Sequence, residues 1–226
     1  MGLKISSLLM SALAVMLGIV VHESAHALAA YALGDKTARS RGRVSLNPLR
    51  HIDPFGTILL PLLMIAAGGP VFAFAKPVPV YLNNLKHPKR DEVLVSIAGP
   101  ASNIILACVG AAILSLVASE AVAVALPTAV LSALVDFSFT FIFVNLSLAF
   151  FNLIPLPPLD GSSILVPFLK GDALHACYRI QQYAMPILIV VLYLLPMVTG
   201  IDLIGMYFDA TVYPLGDVLV SLALGR

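Results

Sequence analysis

The chain has 226 residues, of which 60% are hydrophobic and 11% are charged, and its formal net charge is +1. A soluble domain averages about 25% charged residues, so this composition excludes an ordinary soluble enzyme and predicts a multi-pass membrane protein. The near-neutral charge gives no reason to expect a nucleic-acid partner.

The first predicted helix covers residues 5–33, an apolar run long enough to cross a bilayer. Gly34 follows it and is a residue type that commonly ends helices. Towards its carboxyl end, the helix carries the sequence His-Glu-Ser-Ala-His at residues 22–26. A cleaved signal peptide would not carry such a cluster, so we expect this helix to be retained.

The two histidines of this motif, His22 and His26, lie one helical turn apart and therefore on one face, which is the spacing that binds a single zinc ion. Glu23 lies beside the metal and can take a proton from its bound water. Each ionisable residue in an apolar helix costs at least about 2.5 kcal/mol, so three together favour a functional site. In the alternative interpretation, the three side chains pair with other spans and bind no metal.

Two less regular segments follow the first helix. Residues 35–53 are polar and basic, and the alternating pattern at 41–48 predicts short strands or a loop. Residues 55–75 are apolar but are interrupted by Pro61 and by the Gly-Gly-Pro sequence at 68–70, which predicts a bend within the segment.

Three further membrane spans are predicted, at residues 93–118, 128–153 and 183–207. The connection between the first two of these, 119–127, is short. The tail at 209–226 either lies at the membrane interface or turns back into the bilayer.

Basic residues are distributed unevenly between the connecting segments. Residues 34–53 hold five lysines or arginines and residues 76–92 hold four, whereas 119–127 holds none. By the positive-inside rule, both basic segments face the cytoplasm and 119–127 lies outside. With both flanks on one side, 55–75 must dip into the bilayer and return, or lie on its surface. The alternative is an ordinary span with one basic segment outside.

A third metal ligand is expected, because catalytic zinc sites use three protein ligands and one open position. Asp160 follows the proline-rich end of the predicted span 128–153, and the charge pattern places it at the same depth as His22 and His26. We therefore predict Asp160 as the third ligand, although an Asp-Gly pair also suits a plain turn.

Two sequence signatures of the chain resemble those of the site-2 protease family of intramembrane metalloproteases. The first is the motif at 22–26. The second is Asn-Leu-Ile-Pro-Leu-Pro-Pro-Leu-Asp-Gly at 152–161, which is similar to the family's sequence around its third ligand. A Gly-x-x-x-Asn pattern at 99–103 also matches the family, but this pattern alone is weak evidence. The order of these motifs and the spacing between them agree with the family over roughly residues 8–165.

The predicted fold is an all-α polytopic membrane protein with about four to six membrane segments, in a single metalloprotease domain at 1–226. The resemblance implies a three-helix catalytic core, which matches the spans at 5–33, 93–118 and 128–153. The prediction adds a re-entrant or short β region and one or more further C-terminal helices.

For function, the resemblance implies a zinc endopeptidase that hydrolyses peptide bonds in or next to transmembrane segments of membrane-protein substrates. It implies one zinc ion bound by His22, His26 and Asp160, with Glu23 as the catalytic base. Asn103 and Asn152 match family positions near the active site. They either bind the substrate backbone or the oxyanion, or they form interhelical hydrogen bonds.

The chain differs from many relatives in two respects. No membrane span fits before Ile5, and no PDZ or CBS domain is evident, so it resembles a compact subtype. We expect a transmembrane protein substrate and membrane lipids as partners. The expected location is the cell membrane of a prokaryote, with the active site toward the cytoplasmic side.

Two other functions stay open on the sequence alone. One is a non-enzymatic membrane protein, such as a transporter or metal-handling protein, and the other is an inactive relative that binds membrane helices. Glu23 argues against both, because neither needs a glutamate between two histidines.

Overall fold

A computed structural model gives the fold and describes residues 5–59 and 75–226. Within these ranges the chain is mainly helical and contains no β-strand, which confirms the predicted all-α class. The helices are α1 (Ile5–Ala32), α2 (Thr37–Ser40), α3 (Pro88–Ala118), α4 (Glu120–Ala125), α5 (Thr128–Asn152), α6 (Asp160–Leu165), α7 (Gly171–Gln182), α8 (Ala184–Thr199) and α9 (Leu203–Ala223).

Three long helices, α1, α3 and α5, pack together at the centre of the molecule. They correspond to the predicted spans at 5–33, 93–118 and 128–153. Helix α3 begins earlier than predicted, since Pro88 suits a first helical turn and the Asp91 carboxylate accepts a hydrogen bond from the His87 backbone N–H at 2.8 Å. The extra turn is polar, which is why hydropathy alone did not include it.

Small residues allow these helices to approach one another closely. A Cβ atom on Gly110 of α3 would lie 3.0 Å from the Cγ1 atom of Ile142 on α5. Ala107, Leu114 and Leu146 complete this buried contact, and Val212 of α9 packs against it. Such close backbone approach is how helices associate in a bilayer, where there is no hydrophobic driving force between them.

The connection after α1 forms a loop with short helical turns, so the loop alternative predicted for 35–53 is the one observed and the strand alternative is not. The loop is joined by hydrogen bonds to the segment that precedes α3. The Lys76 backbone N–H donates to the His51 carbonyl at 2.9 Å, and the Arg43 guanidinium donates to the carbonyls of Arg50 and Lys76.

Asp35 makes a second set of hydrogen bonds between the same two segments. Its buried carboxylate accepts hydrogen bonds from the Thr37 backbone and hydroxyl, from the Tyr81 backbone N–H and from the Asn84 amide. Burial alone would raise the pKa of Asp35, but these hydrogen bonds lower it to about 2. The ionised carboxylate therefore holds the two segments together across the physiological range.

The predicted re-entrant segment 55–75 falls mostly outside the described residues. Its first residues belong to a helical turn at Pro54–Leu59, and residues 60–74 lie outside the described ranges. The re-entrant path therefore stays a prediction. The described residues on either side of it meet at the hydrogen bond between Lys76 and His51.

The C-terminal region differs from the predicted span at 183–207. Helix α8 ends at Thr199, because Gly200 adopts a left-handed conformation with φ of 72°. Asp202 then caps a new helix, α9, by accepting a hydrogen bond from the Gly205 backbone N–H at 2.8 Å. The predicted tail at 209–226 is thus largely part of a membrane-length helix.

Four helices of the described residues are long and apolar enough to cross a membrane: α1, α3, α5 and α9. Helices α7 and α8 meet at a 75° bend and would add a fifth span if they are counted as one. The number agrees with the predicted four to six segments, and the chain is a multi-pass membrane protein by this criterion.

Candidate active site

Two helices bring the three predicted metal ligands together. Helix α1 presents His22 and His26 on one face, and Asp160 is the first residue of α6. The two Nε2 atoms lie 3.0 Å apart, and the Asp160 Oδ2 atom lies 3.1 Å from His22 Nε2 and 3.3 Å from His26 Nε2. The sequence prediction that these residues share one site therefore agrees with the geometry.

The triangle of ligand atoms has the dimensions that zinc requires. Nitrogen and oxygen ligands lie about 2.0–2.1 Å from a tetrahedral zinc ion, which places them about 3.3 Å from one another. The three observed separations of 3.0, 3.1 and 3.3 Å are close to this value. Three protein ligands leave a fourth position free, which is typical of a catalytic rather than a structural zinc site.

The hydrogen bonds behind the histidines show which ring nitrogens carry protons. His22 Nδ1 lies 2.6 Å from Asn103 Oδ1, and His26 Nδ1 lies 2.7 Å from the Val95 carbonyl oxygen. Both partners are acceptors, so each Nδ1 donates and each neutral ring directs an Nε2 lone pair inward. The buried Asp160 Oδ2 has no hydrogen-bond partner among the described residues. Three lone pairs at this separation repel unless a cation lies between them, so the residues fit a zinc ion.

Two glycines give the ligands the space they need. A Cβ atom on Gly99 of α3 would lie 2.3 Å from His26 Nε2 and 2.6 Å from His22 Nε2. A Cβ atom on Gly161 would lie 2.3 Å from the Leu153 carbonyl oxygen, so only glycine lets α6 begin this close to the end of α5. Both glycines belong to motifs in the sequence, but the motifs alone did not predict these contacts.

Glu23 lies next to His22 in the chain, and its side chain is directed into the same cavity as the ligands. Its Oε2 atom is buried and has no hydrogen-bond partner among the described residues. Among the described residues, Arg43 forms an ion pair with this atom, with its Nη2 atom 3.9 Å away. Sequence reasoning counted Arg43 only as a basic loop residue, because nothing in the sequence indicates that the loop folds back over α1.

A cavity of about 1460 Å³ opens beside the metal ligands and Glu23. Most of its wall is apolar and comes from α1, α5, α8, α9 and the segment before α3; examples are Ile19, Val78, Leu148, Leu192 and Phe208. Asn152 lines this cavity, and its Nδ2 group donates to the Leu148 carbonyl of its own helix at 2.9 Å. Its predicted role toward substrate is compatible with this position.

Asn103 occupies a different environment from Asn152. It is completely buried, and it does not line the cavity. Both ends of its amide are occupied: Oδ1 lies against His22, and Nδ2 donates to the Gly18 carbonyl and to Asn145 Oδ1. These bonds match the interhelical alternative given for Asn103, and its substrate or oxyanion role stays a prediction.

Comparison with known proteins agrees with the zinc site described above. The family model described as peptidase family M50 matches residues 10–195. Two relatives bear the description "Putative zinc metalloprotease". YwhC of Bacillus subtilis (strain 168) is 41% identical over 78% of this chain and 76% of its own length. Rip2 of Mycolicibacterium smegmatis (strain ATCC 700084 / mc(2)155) is 31% identical over 78% of this chain and 64% of its own length. No solved structure matches the chain significantly.

Proposed function

Because the chain belongs to peptidase family M50 and is a zinc metalloprotease, we propose that it cleaves peptide bonds in or next to transmembrane segments of membrane-protein substrates. The observation that carries this proposal is the position of the metal ligands. His22 and His26 lie on a membrane-length helix, Asp160 follows the end of another, and all three face a largely apolar cavity. A substrate that reaches them is itself an apolar membrane segment, since such a segment matches the wall of the cavity.

In the proposed reaction, His22, His26 and Asp160 hold one zinc ion. When bound, this ion would polarise the scissile carbonyl and lower the pKa of a water at the open position. Glu23 takes the proton from the attacking water and later gives it to the leaving amine nitrogen. The Oε2 atom of Glu23 supports this role, because it accepts no hydrogen bond from a described residue and lies 3.9 Å from the Arg43 Nη2 atom. Asn152, at the cavity wall, binds the substrate backbone or the oxyanion.

The segment before α3 supplies a surface for an unwound substrate. Residues 75–80 are non-helical, and Val78 and Val80 line the cavity. Pro77 and Pro79 have no backbone N–H, so the N–H groups of the two valines are the donors that residues 77–80 offer. Neither valine N–H has a partner among the described residues. We infer that they pair with the substrate backbone by strand addition.

The orientation in the membrane follows from charge. The basic segments 34–53 and 76–92 flank the end of α1 that carries the metal ligands. The positive-inside rule therefore favours an active site on the cytoplasmic side of a cell membrane. Anionic lipid headgroups are the expected partners of these basic side chains.

The proposal is tested by co-expression with candidate single-span membrane proteins, together with zinc analysis of the purified variants. Glu23→Gln should keep zinc and lose cleavage, whereas Asp160→Ala should lose both. Glu120→Gln and Asp136→Ala are matched controls on exposed carboxylates far from the ligands and should change neither. Cleavage by Glu23→Gln would overturn the role of Glu23. A wild-type enzyme that cleaved soluble casein but no span-containing substrate would contradict the proposed substrate class.

A further inference from the structure

Two asparagines lie completely buried in the apolar contact between the three central helices. Asn103 is on α3 and Asn145 is on α5, and neither has any exposed surface. A buried amide is costly unless its donors and acceptors are paired, and in a bilayer no water is available to pair them. Such residues therefore need a specific reason to be there, and the zinc site does not use them as ligands.

The hydrogen bonds of the two amides form one directional chain. Asn145 Nδ2 donates to the Phe141 carbonyl of its own helix at 2.9 Å, which leaves Asn145 Oδ1 facing Asn103. Asn103 Nδ2 donates to that oxygen at 3.0 Å and to the Gly18 carbonyl of α1 at 3.1 Å. Asn103 Oδ1 then accepts from His22 Nδ1 at 2.6 Å.

This arrangement permits only one orientation of the Asn103 amide. If the amide were rotated by 180°, its oxygen would face two other oxygens, Gly18 O and Asn145 Oδ1. Its NH₂ group would then face His22 Nδ1. The histidine would have to accept at Nδ1 and carry its proton on Nε2, which would remove the lone pair that zinc needs. Asn145 therefore determines the orientation of Asn103, and Asn103 determines the tautomer of His22.

The other histidine has a different kind of support. His26 Nδ1 is held by the backbone carbonyl of Val95, whose orientation is fixed by helix α3. Only His22 depends on side chains that could adopt two orientations. The second amide therefore has a function, since one asparagine alone could present either its oxygen or its nitrogen to the ring.

We propose that Asn103 and Asn145 are positioning residues that fix His22 in its zinc-binding tautomer and so determine the zinc affinity of the site. The proposal rests on the zinc site assigned above but not on the substrate or on proteolysis. It also couples metal binding to helix packing, because the chain of hydrogen bonds joins α5, α3 and α1. Residues that support metal-bound histidines in this way typically contribute about 10- to 100-fold to metal affinity.

The test measures zinc affinity of the purified full-length protein by competition with a chelator. Asn103→Leu should weaken zinc binding by about 10- to 100-fold, and Asn145→Leu should weaken it in the same direction by a smaller factor. The double variant should bind zinc no more weakly than Asn103→Leu alone, because the two residues act through one contact on His22. His22→Ala is the reference for loss of a ligand, and it shows separately whether the assigned zinc site is correct.

Two further measurements separate positioning from general packing. The zinc-induced rise in Tm, taken as the difference between zinc-loaded and EDTA-treated protein, should shrink in the asparagine variants. The absorption spectrum of the cobalt-substituted protein should change in the same variants. Ser138→Ala is the matched control: it removes a buried hydroxyl on α5 whose one partner among the described residues is the Leu134 carbonyl of its own helix. It should leave the zinc affinity, the Tm rise and the spectrum unchanged.

Asn103→Asp extends the test if the leucine variants do not fold. Its carboxylate still accepts from His22 Nδ1 but cannot donate to Asn145 or Gly18, so its zinc affinity should lie between those of the wild type and His22→Ala. Wild-type zinc affinity in Asn103→Leu, or in Asn145→Leu, would overturn the proposal. An equal loss of Tm with and without zinc, at unchanged affinity, would show that the asparagines only support packing.

Discussion

At Gly99, the backbone of α3 passes directly beside the two imidazoles of α1. An added methyl group would overlap both ligand nitrogens, at 2.3 and 2.6 Å. The histidines cannot move away without losing the hydrogen bonds to Val95 and Asn103 that hold them. A residue without a functional group thus limits the geometry of the metal centre.

We expect Gly99→Ala to lower zinc affinity by at least about tenfold, because the ligand nitrogens must leave their common centre. Zinc content after dialysis against a weak chelator checks this. Gly110→Ala is the control on the same helix: its methyl group would meet Ile142 at 3.0 Å, far from the ligands. Overpacking there should cost about 1–3 kcal/mol of stability with zinc retained. Equal zinc loss in both variants would contradict the prediction.

Individual site residues differ in how well the sequence predicted them. His22, Glu23 and His26 are set by spacing within one helix, and Asp160 follows from the charge pattern and the family resemblance. Asn145 and Arg43 were missed, since their roles depend on which helix or loop lies beside them. Asn145 did leave one signal, namely a single amide within an apolar run, which is a costly residue in a membrane helix.

At the scale of elements, the loop after α1 and the segment before α3 form one unit, held by Asp35 and Arg43. The pKa of Asp35 is lowered from its ordinary value of 3.8 to about 2. Its ionised form therefore contributes stability above about pH 4, and that contribution is lost as the pH falls toward 2. The loop and the segment should therefore separate at acidic pH before the helices unfold.

Pepsin digestion in detergent between about pH 4.5 and pH 2 would show this opening. The wild type should resist cleavage near Tyr81 at the upper end of this range and become susceptible as the pH approaches 2. Asp35→Asn should be cleaved there at every pH, since the amide cannot accept all the hydrogen bonds that the carboxylate accepts. Asp172→Asn, an exposed carboxyl on α7, should behave as the wild type. A pH-independent wild type would contradict the role of Asp35.

Element boundaries show where hydropathy is informative and where it is not. The three central spans were predicted to within a few residues because polar or proline-rich segments bound them. The span at 183–207 was displaced because the sequence stays apolar across the real break. Gly200 and Asp202 end one helix and begin the next by backbone conformation and capping, which contribute little to mean hydropathy.

For the whole molecule, the positive-inside rule makes a prediction about sidedness. Cys177 on α7 should face the cytoplasm, because α7 follows the metal-ligand end of the protein. A cysteine introduced as Glu120→Cys, in a Cys177→Ala background, should lie on the outer side. A membrane-impermeant maleimide should label Cys177 only in inverted vesicles and the new cysteine only in right-side-out vesicles. Labelling of both from one side would contradict the assigned topology.

The hydrogen bond between Lys76 and His51 has a consequence for how such proteins change during evolution. It joins two points that are distant along the chain at a fixed short separation, 2.9 Å. Because this bond fixes the separation of the two points, residues gained or lost between them need not move the loop after α1 or the start of α3. We therefore expect insertions and deletions among relatives to collect between these two positions, while the helices that carry the metal ligands keep their lengths.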